Sequence, residues 1–100
     1  MSAKIYDISH SYIGEVQNDG TVATYSNSYV GKVDRDERVY DYCSKFMGYV
    51  DRNGRIYDDS YGYMGRIENE WVYDTSEQMV AQIDGSPRRM AAAAYMLLLR

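Results

Sequence analysis

A glycine recurs every 17 residues along the chain, four times in succession. Each glycine follows an aromatic and an aliphatic residue, and a valine or isoleucine stands two positions after it. The second half of each unit contains turn residues and then a β-branched residue, which Tyr-Asp follows in three of the four units. The repeated glycines are Gly14, Gly31, Gly48 and Gly65. A fixed period of this kind indicates a fold assembled from copies of one small supersecondary unit.

Each unit has the length and composition of a β-hairpin. Both halves are rich in aromatic and β-branched residues, which favour strands. Asp19-Gly20 and Asn53-Gly54 separate the halves of two units, and such dipeptides are typical of hairpin turns because they tolerate positive φ. A four-stranded propeller blade needs about 40 residues, so the period excludes a propeller.

The two ends of the repeated region are complementary half-units. Ile5-Tyr6-Asp7 matches the second half of a unit, whereas residues 79–83 match a first half with a shift of one residue. We expect these half-units to pair as a fifth hairpin. The prediction is a mostly β fold in which five pseudo-symmetric hairpins, about ten short antiparallel strands over residues 4–84, close into a ring. Closure removes the free strand edges that favour aggregation.

Strand alternation predicts which side chains share a face. In the first unit it assigns Tyr12, Gly14 and Val16 to one face, and Ile13 and Glu15 to the other. The fifth half-unit has Ala81 where the other units have glycine. A ring of small residues indicates that a bulky element approaches the backbone there.

The C-terminal segment, residues 86–100, is the candidate for that element. Ser86 can cap a helix and Pro87 suits its first turn, while the alanine and leucine run has high helix propensity. The run is apolar on all sides, which is typical of an enclosed helix. We expect it to fill the ring, with Arg88 and Arg89 at one mouth and Arg100 at the other. An oligomer contact and a membrane contact are the alternatives.

Charge supports this arrangement and restricts the partners. Residues 1–84 carry eight Lys and Arg against fifteen Asp and Glu, a net charge of −7, and the tail carries +3. The net charge of −4 argues against nucleic acid as a partner.

Size and residue usage predict a single domain, residues 1–100, located in the cytoplasm. Cys43 is the only cysteine, so an intramolecular disulfide is excluded and a reducing compartment is compatible. The first residues lack the apolar region of a signal peptide. The longest apolar run has ten residues, about half of a membrane span.

Residues suited to catalysis are few. His10 is the only histidine and lies in a polar linker, and Cys43 has no second histidine available as an activating base. The chain contains no phosphate-binding glycine loop, HExxH pattern or GxSxG elbow. We therefore predict a protein that is not an enzyme, with no catalytic residue, no metal and no cofactor.

Four aspartates recur at one repeat position: Asp7, Asp41, Asp58 and Asp74. A closed ring could bring their carboxylates to one rim, where such a set can bind a cation. The interpretation we favour is structural: each aspartate ends a strand and accepts hydrogen bonds from backbone amides of the following linker. Thr24 occupies the fifth position and can accept a similar bond.

The twelve tyrosines also admit two interpretations. Interleaved tyrosines can stack on sugars or surround a quaternary ammonium group, as in choline-binding hairpin repeats. Those repeats rely on tryptophan, and this chain has only Trp71. We favour packing across neighbouring strands for the repeated tyrosines, which are Tyr6, Tyr40, Tyr57 and Tyr73.

The repeat resembles the β-flower families, and five units make it similar to the five-fold type. The resemblance implies a shallow pseudo-symmetric barrel of hairpins. A barrel around an apolar helix also resembles, in architecture alone, the tubby and scramblase-like domains, which are associated with membrane lipids. We therefore expect a small binding or scaffold module, with lipid or membrane association by architectural analogy and no nucleic-acid partner. The alternative is a carbohydrate or choline-type binder that uses exposed tyrosines. Trp71, Arg88 and Arg89 are candidate contacts with an apolar ligand, a membrane or a protein.

Overall fold

A computed structural model describes residues 2–100. Ten antiparallel strands follow one another around a closed barrel, and each pairs with the strands before and after it in the chain. The strands are β1 (Ser2–Asp7), β2 (Tyr12–Gln17), β3 (Thr21–Thr24), β4 (Tyr29–Val33), β5 (Arg38–Asp41), β6 (Phe46–Val50), β7 (Arg55–Asp58), β8 (Tyr63–Glu68), β9 (Trp71–Tyr73) and β10 (Met79–Asp84). A helix follows as α1 (Arg88–Ala94) and continues as a wider π-helical turn (Tyr95–Leu99).

The two terminal half-units close the barrel. β1 pairs with β10 in antiparallel register, with Ile5 opposite Ile83 and Asp7 opposite Ala81. The four internal hairpins use the same register. In the third of them, for example, Gly48 lies opposite Asp58. Ala81 is therefore the structural equivalent of the repeated glycines. The predicted ring of five hairpins with a C-terminal helix in its core is confirmed.

Bulges at the start of every second strand change which side chains face inward. The register shifts by one residue wherever a hairpin meets the next one, as between β5 and β6. There, Tyr40 pairs with Phe46 and Val39 pairs with Gly48, so Met47 is skipped. Met47 packs against the core, while the ring of Phe46 lies against Tyr40 with centroids 5.9 Å apart.

The predicted alternation was consequently wrong for two positions of each unit. The skipped aliphatic residues belong to the interior and are Ile13, Val30, Met47, Met64 and Val80. The residues before them lie on the outer surface and are Tyr12, Tyr29, Phe46, Tyr63 and Met79. Strict period-two alternation assumes an unbroken strand, and a bulge inserts one residue into it.

The helix occupies the axis of the barrel. Ala91, Ala92, Ala93 and Ala94 are 0% exposed and pack against inward-facing valines and isoleucines. Alanine combines a high helix propensity with a small side chain. A helix of alanines is therefore narrow enough for the interior of a barrel of ten short strands. The Cα atoms extend over 30 × 30 × 19 Å, a shallow disc.

The start of the helix differs from expectation. Pro87 precedes its first turn with an extended backbone, and no side chain caps the free amides, so Ser86 is not the cap. The Arg89 guanidinium instead ties this end of the helix to the barrel. It donates to both carboxylate oxygens of Glu37, at 2.8 and 3.0 Å, and to the carbonyl oxygen of Arg52 at 3.2 Å.

The two ends of the barrel differ in which end of the helix they surround. The N-terminal mouth surrounds the start of the helix and carries the turns 18–20, 34–37, 51–54 and 69–70. The C-terminal mouth surrounds its end and carries the linkers 8–11, 25–28, 42–45, 59–62 and 74–78. Arg100 lies at the C-terminal mouth, where its guanidinium is 3.9 Å from the carboxylate of Asp74.

In the described part of the chain, no helix combines the length and hydropathy needed to cross a bilayer.

Candidate binding sites

The linkers at the C-terminal mouth share one hydrogen-bonding pattern. Asp58 accepts hydrogen bonds at Oδ1 from the backbone amides of Ser60 at 2.9 Å and Gly62 at 2.8 Å. The same pair of bonds is repeated at Asp7, Asp41 and Asp74. In the remaining linker the hydroxyl of Thr24 accepts from the amide of Ser28 at 3.2 Å. These side chains hold each linker in a fixed turn.

A left-handed residue completes each of these turns. At Tyr61 φ is +66°, and its amide donates to the carbonyl oxygen of Asp58 at 3.0 Å. The equivalent left-handed residues are His10, Asn27, Ser44 and Glu77. Because the backbone is the same at all five positions, the linkers differ only in the side chains that they present.

The repeated aspartates are not gathered around a shared cation position. Within residues 2–100, no group of three or more His, Cys, Asp or Glu side chains is arranged to hold a metal ion. At the opposite mouth Asp34 and Asp51 make the same two bonds to backbone amides. Our sequence reasoning missed this second set, although Asp34 and Asp51 also stand 17 residues apart.

Exposed apolar side chains concentrate at the C-terminal mouth. Ile8, Tyr25, Tyr42 and Tyr61, in four of the five linkers, are 69 to 71% exposed; we call these four the C-terminal rim. The half-buried side chains of Leu97–Leu99 lie at the centre of the same face. Exposed apolar side chains on one face mark an interaction surface more often than the same residues scattered over the whole molecule.

Polar and charged groups complete this face. The linker residues outside the rim number sixteen, in 8–11, 25–28, 42–45, 59–62 and 75–78, and seven of them are serines. The acids Asp59 and Glu77 stand on one side. The guanidinium of Arg66 hydrogen-bonds the Glu77 carboxylate at 2.8 Å and lowers its pKa. Arg66 also lies over the ring of Tyr73, 4.5 Å from its centroid. Glu77 is therefore held in its ionised form.

A groove on the outer surface lies between β5 and β6. Its volume is about 430 Å³, and it is lined by Asp36, Arg38, Tyr40, Phe46, Tyr49 and Tyr61. Tyr49 contacts two neighbouring rings: it stacks on Tyr57 at 5.1 Å and meets Tyr61 edge-on at 5.8 Å between centroids. Desolvation, followed by the charges of Tyr57, Tyr61 and Asp51, raises the pKa of Tyr49.

The other residues singled out in the sequence lie apart from one another. Arg88 and Arg89 border a depression of about 670 Å³ at the N-terminal mouth, and the Arg89 guanidinium is already paired with Glu37. Trp71 begins β9 and pairs with Gln82. The amide of Cys43 donates to Asp41, and the imidazole of His10 lies 5.5 Å from the ring of Tyr6.

Tyr49 and Tyr61 were not singled out from the sequence. A signal was present, because both depart from their repeat positions. The residues equivalent to Tyr49 are Glu15, Lys32, Arg66 and Gln82, and those equivalent to Tyr61 are His10, Asn27, Ser44 and Glu77.

Comparison with known proteins assigns the chain to a family. The family described as 5-fold beta-flower protein matches residues 1–99. No curated protein and no solved structure matches the chain.

Proposed function

The chain belongs to the 5-fold beta-flower family, and from its geometry we propose that it is a non-enzymatic binding module whose C-terminal rim docks on a partner protein. The observation that carries the proposal is the concentration of Ile8, Tyr25, Tyr42 and Tyr61 at one mouth of the barrel, each about 70% exposed. Exposed aromatic residues in a cluster supply much of the binding energy of protein interfaces.

The construction of the face supports recognition. Five linkers of one backbone conformation are held by side-chain bonds to their own amides. Binding residues are commonly located on loops that a rigid scaffold positions. Serine and tyrosine make up half of the linker residues. Both are enriched in antibody loops, where tyrosine gives contact area at a low cost in conformational entropy and serine gives adaptable hydrogen bonds.

The size of the face is adequate for a stable contact. The Cα atoms span 30 Å in two directions, so a disc of this width offers about 700 Å², close to the roughly 800 Å² per partner of a standard interface. The helix fills the axis, so a partner binds across the mouth and not inside the barrel.

Charge favours a protein over a lipid surface. Asp59 and Glu77 stand beside the apolar half of the face and are offset by Lys45 and Arg100, so the face lacks the cluster of basic side chains that anionic lipid attracts. A protein with basic side chains beside an apolar patch complements both halves. Association with membrane lipids, expected from architectural analogy, is therefore the alternative that the experiment must exclude. A cytoplasmic location remains part of this proposal.

The test is site-specific photo-cross-linking in the cells from which the protein comes. A photoreactive amino acid replaces Tyr42 in one variant and Arg35, at the opposite mouth, in the control. We expect one discrete adduct from position 42 that is absent from position 35. Co-expressed wild-type protein without the photoreactive residue should suppress the adduct, and the co-expressed Tyr25→Ser/Tyr42→Ser double variant should not.

Liposome flotation provides the second arm of the test. Equal adducts from both positions, or no adduct, would overturn the proposal. Flotation of the wild type with phosphatidylcholine vesicles, lost in the double variant, would assign the rim to a lipid surface instead.

A further inference from the structure

We propose that the outer groove between β5 and β6 is a second binding site, which adjoins the docking face at Tyr61, and that it takes a neutral sugar ring. The groove offers aromatic faces, hydrogen-bond donors and acceptors together in about 430 Å³. This volume lies within the usual range of small-molecule sites, about 300 to 1,000 Å³.

Two of the four aromatic residues of the groove have no aromatic equivalent in the other units. The pair Tyr40 and Phe46 recurs as an aromatic pair at two of the other four junctions between hairpins. Tyr49 and Tyr61 stand where the other four units have polar or charged side chains, or small ones. Twelve residues separate the two, yet their rings meet at 5.8 Å. The barrel closes in four units without them, so their convergence is not required for closure.

The polar part of the groove consists of two free ionic groups of opposite sign. Asp36 and Arg38 both line it and both are exposed. Among residues 2–100, neither forms an ion pair or a side-chain hydrogen bond with another side chain. A carboxylate can accept, and a guanidinium can donate, several hydrogen bonds at fixed angles. Adjacent hydroxyl groups of a pyranose can donate to the first and accept from the second.

This charge balance selects the class of ligand. An aromatic cage for a quaternary ammonium group needs negative or neutral surroundings, and Arg38 opposes a cation. Asp36 opposes an anion in the same way. A neutral ring with one apolar face and polar edges avoids both conflicts, because its face can stack on Tyr49 or Tyr61 while its hydroxyls hydrogen-bond Asp36 and Arg38.

The experiment begins with a glycan array of neutral oligosaccharides of glucose, galactose, mannose and N-acetylglucosamine, probed with the full chain. The best binder is then titrated by ¹H–¹⁵N NMR. We expect saturable shifts at the amides of residues 36–49 and 61. Asp36→Asn and Arg38→Gln should each weaken binding about tenfold. Both residues are exposed, so both variants should fold normally.

Controls separate this site from general stickiness and from the docking face. Tyr49→Ala should abolish binding, whereas Tyr29→Ala, which removes an exposed tyrosine outside the groove, should leave the affinity within about twofold. The Tyr25→Ser/Tyr42→Ser variant should bind the sugar normally. The inference fails if no neutral glycan binds, or if Tyr29→Ala weakens binding as much as Tyr49→Ala. Binding of choline in the groove with no sugar bound would also overturn it.

Discussion

The Cδ1 atom of Leu97 lies 2.9 Å from the point where a side chain on Gly48 would place its Cβ, and the carbonyl oxygen of Tyr57 lies closer still. The helix and the neighbouring strand therefore both occupy the space that a larger residue would need. Gly31 has the same relationship with Leu98 and the carbonyl oxygen of Tyr40. The repeated glycines are therefore needed mainly for the close approach of the paired strand, and in addition for the packing of the helix.

Gly48→Ala should destabilise the fold by about 2 to 4 kcal/mol, because the added Cβ meets backbone that cannot move and φ is +147°. Gly62→Ala is the matched control. Its Cβ would lie 3.2 Å from the half-buried carboxylate of Asp58, a side chain that can shift by a few tenths of an ångström where backbone cannot, so a loss below about 1 kcal/mol is expected. Urea denaturation of both variants measures the difference, and equal losses would contradict the steric explanation.

Asp58→Ala should cost about 1 to 2 kcal/mol, since the amides of Ser60 and Gly62 lose their acceptor. Asp59→Ala removes a neighbouring exposed carboxylate that accepts no bond from the linker. Its effect should stay within about 0.5 kcal/mol. Thermal and chemical denaturation measure both losses. If the repeated aspartates bound a cation instead, adding Ca²⁺ would strongly stabilise the wild type.

Arg89→Ala and Glu37→Ala should each destabilise the protein modestly. The pair joins the helix to the turn between β4 and β5 through two hydrogen bonds, but its side chains are 46% and 20% exposed. A double-mutant cycle should give a coupling energy of about 0.5 to 1 kcal/mol. The coupling should shrink in high salt, and a value that does not respond to salt would argue against an ionic contact.

Stability at high pH should depend on Tyr12. Desolvation, and then its hydrogen bond to Glu15, raise the pKa of Tyr12 to about 12. The folded state therefore holds this proton more tightly than the unfolded chain, whose pKa is about 10. The contribution is complete below pH 10 and is lost as the pH rises from 10 to 12.

Thermal melts between pH 9 and 12 measure this effect. Tyr12→Phe should fall less steeply than the wild type over the upper part of that range. The control Tyr42→Phe removes an exposed phenol with no hydrogen bond to a carboxylate, and it should reproduce the wild-type slope. A Tyr12→Phe curve parallel to the wild type would contradict the assignment.

Much of the fold can be predicted from the sequence because every unit repeats the same local pattern, so the structure of one hairpin predicts that of the others. The constant spacing of the glycines fixes the hairpins, and the half-units at Ile5–Asp7 and residues 79–83 fix the closure. The helix could be assigned to the core because its apolar residues leave no polar stripe.

The remaining features depend on pairing between units, which no single unit encodes. The bulge at Met47 arises where one hairpin meets the next, so alternation within a strand could not predict the outward position of Phe46. The groove was missed for the same reason. Tyr49 and Tyr61 stand twelve positions apart, and only the barrel brings their rings together.

Hydrogen exchange at Ala91–Ala94 tests most directly whether the helix is the core of the ring, which is the reason for assigning binding to the outer surfaces. These residues are fully buried, so their amides should exchange only through global unfolding, with the same free energy as urea denaturation reports. Exchange of these four amides at a free energy well below the global value, while the strands stay protected, would show that the helix leaves an intact barrel and would contradict this structure.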